Sequence, residues 1–243
     1  MKLIADLHTH TVASTHAYST VTENTAQAEK QGLKIMAVTD HAPQIDDAPH
    51  IWHHQNLSTL PRIINNVFVL RGIEANIIDN SGNVDIDIEK GLMKKMDWII
   101  ASYHWGSGTK SEFTESYIKA LENPDISCLG HTDSKRFPYD VKEVCKACAH
   151  FGKAMELNVA RIRDISKKDA YDFYRNLLSV CAEEKAFVVV NTDSHFWNTI
   201  GDFTPALKLI EEVGFPQELL LNADEDRLKE FVNRKKEYDI FDV

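Results

Sequence analysis

Seven short runs of apolar and β-branched residues alternate with segments of helical period along the chain. They are Leu3–Leu7, Ile35–Thr39, Val67–Glu74, Trp98–Ser102, Ile126–Leu129, Ala154–Leu157 and Phe187–Val190. Among the helical segments, Thr22–Gln31 is expected to take Thr22 as its N-cap and Gly32 as its stop, and helices are also expected over 57–65 and 88–96. Strands that alternate with helices read as βα units paired in parallel. No Gly- or Ser-rich linker and no internal repeat divides the 243 residues, a length that suits one barrel-sized core. The expected fold is α/β, with residues 1–243 as a single domain. Periodicity alone leaves two forms open: a doubly wound sheet, or a barrel one unit short of eight.

The residues that follow the runs decide between them. His8, His10, His41, Glu74, His104, His131, Asp193 and His195 stand at or just after run ends, and His16 follows His10 by six residues. In an open sheet the first and last of these would lie too far apart to share a site. Closure gathers them at one mouth, so the pattern predicts a (β/α)7 barrel. A lone strand-end histidine is most often solvated or hydrogen-bonded. Independent roles of that kind do not explain ligand-type residues after six of seven strands.

The chemistry follows from residue type and spacing. His8 and His10 are two apart, as are Asp193 and His195, so each pair points one way from a strand. Seven histidines, one glutamate and one aspartate exceed the needs of one tetrahedral ion. Two to three ions sharing Glu74 would each have about three protein ligands, which leaves positions open for water as in catalytic sites. Imidazole and carboxylate suit zinc, manganese and iron alike, and zinc is the first expectation.

A formal net charge of -10 argues against nucleic acid and against an anionic membrane surface as partners. No apolar run reaches the length of a spanning helix, and MKLIADLHTH is too short and polar for a signal peptide. Four cysteines make no disulfide framework, so the cytoplasm is the expected compartment. Oligomeric state is not readable from the sequence.

The blocks DLHTHTVASTHAYS, AVTDHAP, LRGIEANI and NTDSH, with His104 and His131, resemble the PHP (polymerase and histidinol phosphatase) superfamily. Within it the chain is most similar, over essentially its whole length, to the YcdX-type phosphatases. The resemblance implies a distorted seven-stranded barrel with a trinuclear centre. His8, His10, Glu74 and Asp193 would hold one ion; Glu74, His104 and His131 a second; His16, His41 and His195 a third. It further implies hydrolysis of a small phosphorylated molecule by a metal-activated hydroxide, with Glu74, Asp193 and His195 as the catalytic side chains. Thr132 and Asp133 stand where many relatives place a proline, and Trp105-Gly106 departs too, so the pocket wall is this chain's own. Phosphodiesterase or exonuclease activity on the same centre is one alternative, and a non-catalytic metal-binding regulatory barrel is another.

Arg161 and Arg163 after the sixth run, and Lys135 and Arg136 after the fifth, are the candidate phosphate-holding cations. Arg71, inside the third run, is expected to orient Glu74. The PHIWHH segment from Pro49 to His54 is expected to be either a lid or a rim-packed loop. Cys145 and Cys148 read as core packing within a helix.

Overall fold

In an extended strand, side chains alternate between two faces, and here one face is apolar at the bottom and polar at the top. On β4 (Val67–Asn76), Leu70 packs inside the barrel and Glu74 stands four residues further along the same face. The same change runs from Ile100 to Ser102 on β5 (Trp98–Ser102), and from Ala154 to Glu156 and Asn158 on β7 (Ala154–Asn158). It recurs from Val189 to Asn191 on β8 (Phe187–Asn191). The barrel interior is thus filled with apolar layers below and buried polar groups at the C-terminal strand ends.

The computed structural model describes residues 1–86, 91–163 and 168–242. The remaining strands are β1 (Ala5–Asp6), β2 (Ile35–Val38), β3 (Ile63–Ile64) and β6 (Cys128–Leu129). The order β1-β2-β4-β5-β6-β7-β8 is parallel throughout, and β3 pairs antiparallel with β4. The seven parallel strands form the expected, nearly closed barrel. Its seam is short: Thr9 bridges Ser194, His10 N donates to the Ser194 carbonyl at 2.9 Å, and Leu7 N donates to Asn191 Oδ1 at 3.0 Å.

The helices are α1 (Val21–Lys30), α2 (Ile51–Gln55), α3 (Leu92–Lys95), α4 (Lys110–Glu122), α5 (Val141–His150), α6 (Val159–Arg163), α7 (Lys168–Glu184), α8 (Thr204–Val213) and α9 (Glu225–Asn233). One core fills the space between strands and helices, with Ile73, Ile99, Met155 and Val188 facing Tyr117, Cys145, Cys148, Leu177 and Cys181. A second fills the barrel, where Leu70, Trp98, Ile100 and Val189 meet Leu228, Phe231 and Val232 of α9. The C-terminal helix therefore supplies part of the barrel's own core. Cys145 and Cys148 are buried, as expected of packing residues.

Three expectations are corrected. Helix α1 is capped by Thr20 rather than Thr22, because Thr20 and Glu23 exchange the reciprocal bonds of a capping box. The segment 57–65, expected to be helical, gives one 3-10 turn and then β3. Asn65 and Asn66 carry φ of 49° and 57°, the paired left-handed residues that turn a tight hairpin. Arg71 points away from Glu74 and donates to the carbonyls of Ser58 and Leu60 at 3.0 and 3.1 Å. Of the helix expected over 88–96, residues 88–90 lie outside the described residues and Leu92–Lys95 is helical.

Candidate metal centre

The buried carboxylate of Glu74 organises the barrel mouth. Its Oε2 faces His41 Nδ1 at 2.9 Å, His8 Nε2 at 3.3 Å and His10 Nε2 at 3.6 Å. Its Oε1 faces His131 Nε2 at 2.7 Å and His104 Nε2 at 3.3 Å. One carboxylate thus looks onto two sets of imidazoles, one per oxygen. Asp193 Oδ1 closes the first set, 3.1 Å from His10 Nε2 and 3.5 Å from His8 Nε2.

Four overlapping triads have their ligand atoms within 4.8 Å of one another: His8–His10–Asp193, His8–Glu74–His131, His41–Glu74–His104 and His10–His41–His195. His16 stands at the outer edge, its Nε2 2.7 Å from His195 Nε2 and its Nδ1 against Asp47. The structure therefore brings all nine sequence-selected residues to one mouth, with Glu74 central and His16 most exposed.

The donor set fits divalent cations. Buried His8 Nε2, His41 Nδ1 and Glu74 Oε2 have no hydrogen-bond partner although they converge. An unpaired buried polar atom is costly, and a cation between these lone pairs removes that cost. Hydrogen bonds on the far ring nitrogens select the tautomers. His8 Nδ1 lies 2.7 Å from Glu156 Oε1, His104 Nδ1 2.6 Å from Asn76 Oδ1, and His195 Nδ1 3.0 Å from the Asp193 carbonyl. Each bond fixes a proton on the outer nitrogen and leaves the inner one free to coordinate.

The electrostatics agree. Burial raises the pKa of Glu74, yet His8, His104 and His41 together hold it well below the usual range. Asp193 is likewise held ionised against burial, by His8 and His10. Burial keeps His10 neutral, its pKa lowered to about 4. His131 moves the other way: burial opposes its charge, but Glu74 raises it to about 9. Three buried carboxylates, Glu74, Asp193 and Glu156, thus stay ionised among the imidazoles.

Two of these residues sit in strained backbone, with φ of 27° at His131 and 51° at Asp193. Such conformations persist where surroundings over-determine them. At His131 the constraint is visible: its N–H donates to Glu156 Oε2 at 2.7 Å.

Glu156 escaped the sequence reading. It is fully buried, and it accepts from Asn191 Nδ2 at 2.9 Å and Asn158 Nδ2 at 3.1 Å besides contacting His8 and His131. The signal was present as an acid within the apolar run AMELN. Asp40 was missed too: it accepts from Thr11 N and Ser14 Oγ, fixing the loop from His10 to His16, and contacts His53 Nε2 at 3.1 Å. The segment from Pro49 to His54 packs through His54, whose Nε2 is 3.1 Å from the His41 carbonyl oxygen, while Trp52 is 71% exposed.

A cavity of about 680 Å³ opens above the centre, walled by Tyr103, Trp105, Phe137, Ile45, Arg136 and Arg161. Arg161 Nε donates to both oxygens of Asp133, at 3.0 and 2.9 Å. Arg163 instead pairs with Asp202 at 2.8 Å and Lys135 with Asp169 at 2.6 Å, and neither lines the cavity.

The PHP domain family matches residues 6–201. A protein described as a probable phosphatase from Clostridium acetobutylicum is 37% identical over 238 residues, covering 97% of this chain and 96% of the relative. Another so described, from Acetivibrio thermocellus, is 36% identical over 240 residues, covering 98% of each. Among solved structures, histidinol phosphate phosphatase from Lactococcus lactis, complexed with zinc, L-histidinol and phosphate, has a similar fold. It aligns with a TM-score of 0.66 and 20% identity, over 89% of this chain and 95% of that one. This chain belongs to the PHP domain family.

Proposed function

We propose that the chain hydrolyses phosphate monoesters of small molecules at a centre of three divalent ions, zinc first among them, and that residues 1–243 act as one barrel domain. The carrying observation is Glu74, whose two oxygens each face separate imidazoles within a buried cluster that leaves converging polar atoms unpaired. His8, His10, Glu74 and Asp193 would hold one ion, Glu74, His104 and His131 a second, and His16, His41 and His195 a third. When bound, such ions lower the pKa of a water toward neutrality and neutralise phosphoryl oxygens.

The chain's own groups do the rest. Arg161, its Nε anchored on Asp133, offers its remaining guanidinium nitrogens to the phosphate, and Arg136 faces the same cavity. Asp193 is held ionised, so it would serve as a ligand and hydrogen-bond acceptor at the mouth rather than as a proton donor. His195, half-exposed at the cavity wall, carries a proton position. Trp105, Phe137 and Tyr103 form the apolar side for the alcohol part of the ester. The name of the two bacterial relatives and the zinc, histidinol and phosphate of the Lactococcus complex support this reading. No helix among the described residues is long and apolar enough to cross a membrane, and the acidic charge disfavours nucleic acid.

The test is turnover of p-nitrophenyl phosphate by protein purified without chelator, with metal content measured in parallel. Two to three ions per chain with turnover abolished in Glu74→Ala and His41→Ala are expected. Preference for bis-p-nitrophenyl phosphate would replace the monoesterase reading with a phosphodiesterase. Full metal content without turnover of either ester would favour the regulatory barrel.

A further inference from the structure

A second cavity, of about 750 Å³, lies on the flank of the barrel toward the N-terminal strand ends. It is walled by the segment after α2, by α3 with the residues leading into β5, and by the chain after α9. It shares no lining residue with the cavity above the metal centre. Its volume is that of a small-molecule site.

The charge of this cavity runs against that of the protein. Arg62, Arg71, Lys94, Lys95, Lys235 and Lys236 line it, against Asp97, Asp125 and Glu237. The whole chain carries -10. Asp97 is already engaged, by Arg62 and by Lys236 at 3.1 Å. Lys94 and Lys95 are exposed and have no carboxylate partner among the described residues. Arg71 donates through one terminal nitrogen to two carbonyls, and its Nε is buried with no partner.

Gathering like charges in a partly desolvated wall costs free energy unless a counter-charge completes it. The neighbours register that cost. Lys235 is pushed down to about 7 by burial and by Lys236 and Lys153. Arg71 is lowered by burial and by Arg62. Backbone carbonyls satisfy hydrogen bonds here, with Lys235 on Asp125 O at 2.7 Å and Lys236 on Met96 O at 2.9 Å, but they bring no net charge.

We propose that this flank cavity binds a small molecule carrying two or more anionic groups, such as a bisphosphate, at a site separate from the metal centre. Lys94 and Lys95 contribute charge that no carboxylate among the described residues pairs, Arg71 adds a guanidinium whose buried Nε has no hydrogen-bond partner, and Tyr238, 70% exposed at the rim, offers a ring face. A multivalent ligand is required because a single anionic group would leave most of the excess unmet.

Naphthalene trisulfonate is the probe, being multiply anionic with no phosphate to hydrolyse. Metal-loaded protein should bind it saturably by calorimetry. Affinity should fall by about tenfold or more in Lys94→Glu/Lys95→Glu, whose exposed sites leave the fold intact. Acetylation of the wild-type protein, read by mass spectrometry, should be slowed at Lys94 and Lys95 by the probe. Affinity unchanged by the double reversal, or acetylation unaltered, overturns the proposal. So does binding that is lost in Arg161→Met, which would place the probe above the metals.

Discussion

Glu156 Oε1 lies 2.7 Å from His8 Nδ1, across the imidazole from the nitrogen that faces Glu74. The other oxygen of Glu156 holds the His131 N–H at 2.7 Å, so one buried carboxylate sets two candidate metal ligands. Replacing it with Gln puts an amide where at least one donor must find an acceptor. Glu156→Gln is expected to weaken metal binding by about 10–100-fold, the usual cost of losing such a partner. Chelator competition measures this, and wild-type affinity in the variant would refute the assignment.

Glu74→Gln removes the charge shared by the two imidazole sets while keeping shape. Turnover is expected to fall at least about 10³-fold, or ~4 kcal/mol, with fewer ions bound per chain. A variant that keeps both its metals and its rate would show that Glu74 is not the bridge.

Arg161 is braced by Asp133, which also receives Tyr174 Oη at 3.3 Å. Arg161→Met should lower kcat/KM by about 10–100-fold, matching the loss of charged hydrogen bonds to phosphate. Asp133→Asn keeps the guanidinium but loosens it, so a smaller loss in the same direction is expected. Equal kinetics in Arg161→Met and wild type would remove Arg161 from the phosphate site.

Gly130 precedes the strained His131, and a methyl group there would stand 2.4 Å from Ser102 Oγ and 2.7 Å from Ile100 Cγ2. Gly130→Ala should cost about 1–3 kcal/mol of stability, as overpacking does, and displace His131 enough to weaken metal binding. Unfolding curves and metal titration read the two effects separately. An unchanged midpoint would show that the strand end can shift freely.

Lys153 is 8% exposed, and its ammonium donates to the carbonyls of Asn123, Pro124 and Ile126 at 3.0, 3.0 and 2.6 Å. Burial lowers its pKa from 10.5 to about 8. Between those values the unfolded chain holds a proton that the folded chain has released. Its contribution to stability therefore rises with pH across that window, by at most about 1.4 kcal/mol per pH unit. Unfolding at pH 7 and pH 10 should show wild type gaining on Lys153→Met at the higher pH. Parallel behaviour would mean that the three carbonyls hold the ammonium charged throughout.

The barrel and the inward-facing ligand column were legible because both rest on short-range rules. Strand alternation puts Leu70 and Glu74 on one face, and a ligand after each run is visible without knowing which strands are neighbours. Glu156 was not legible as a partner of His8, because nothing local says that β7 and β1 face each other across the mouth. The Asn76–Asp85 pair behind His104, with bonds of 2.9 and 2.7 Å, spans only nine residues, but a turn signal does not say that Asp85 folds back onto the strand end. Thr20 and the Asn65–Asn66 turn are different: their signatures are local, but hydrophobic period outweighed turn chemistry. Arg71 shows the limit of proximity in sequence, since a residue three before Glu74 lies on the opposite face of its strand.

The seam between Thr9 and Ser194 joins residues at nearly opposite ends of the chain. Closing so long a loop carries a large entropy cost, and contacts of such separation form slowly. His8 and His10 meet Asp193 and His195 only across that seam, so a nascent chain displays no complete centre until its last strand has docked. Ion uptake then becomes a late clasp on the finished ring, and metal starvation would expose itself first as a barrel coming unzipped at one edge.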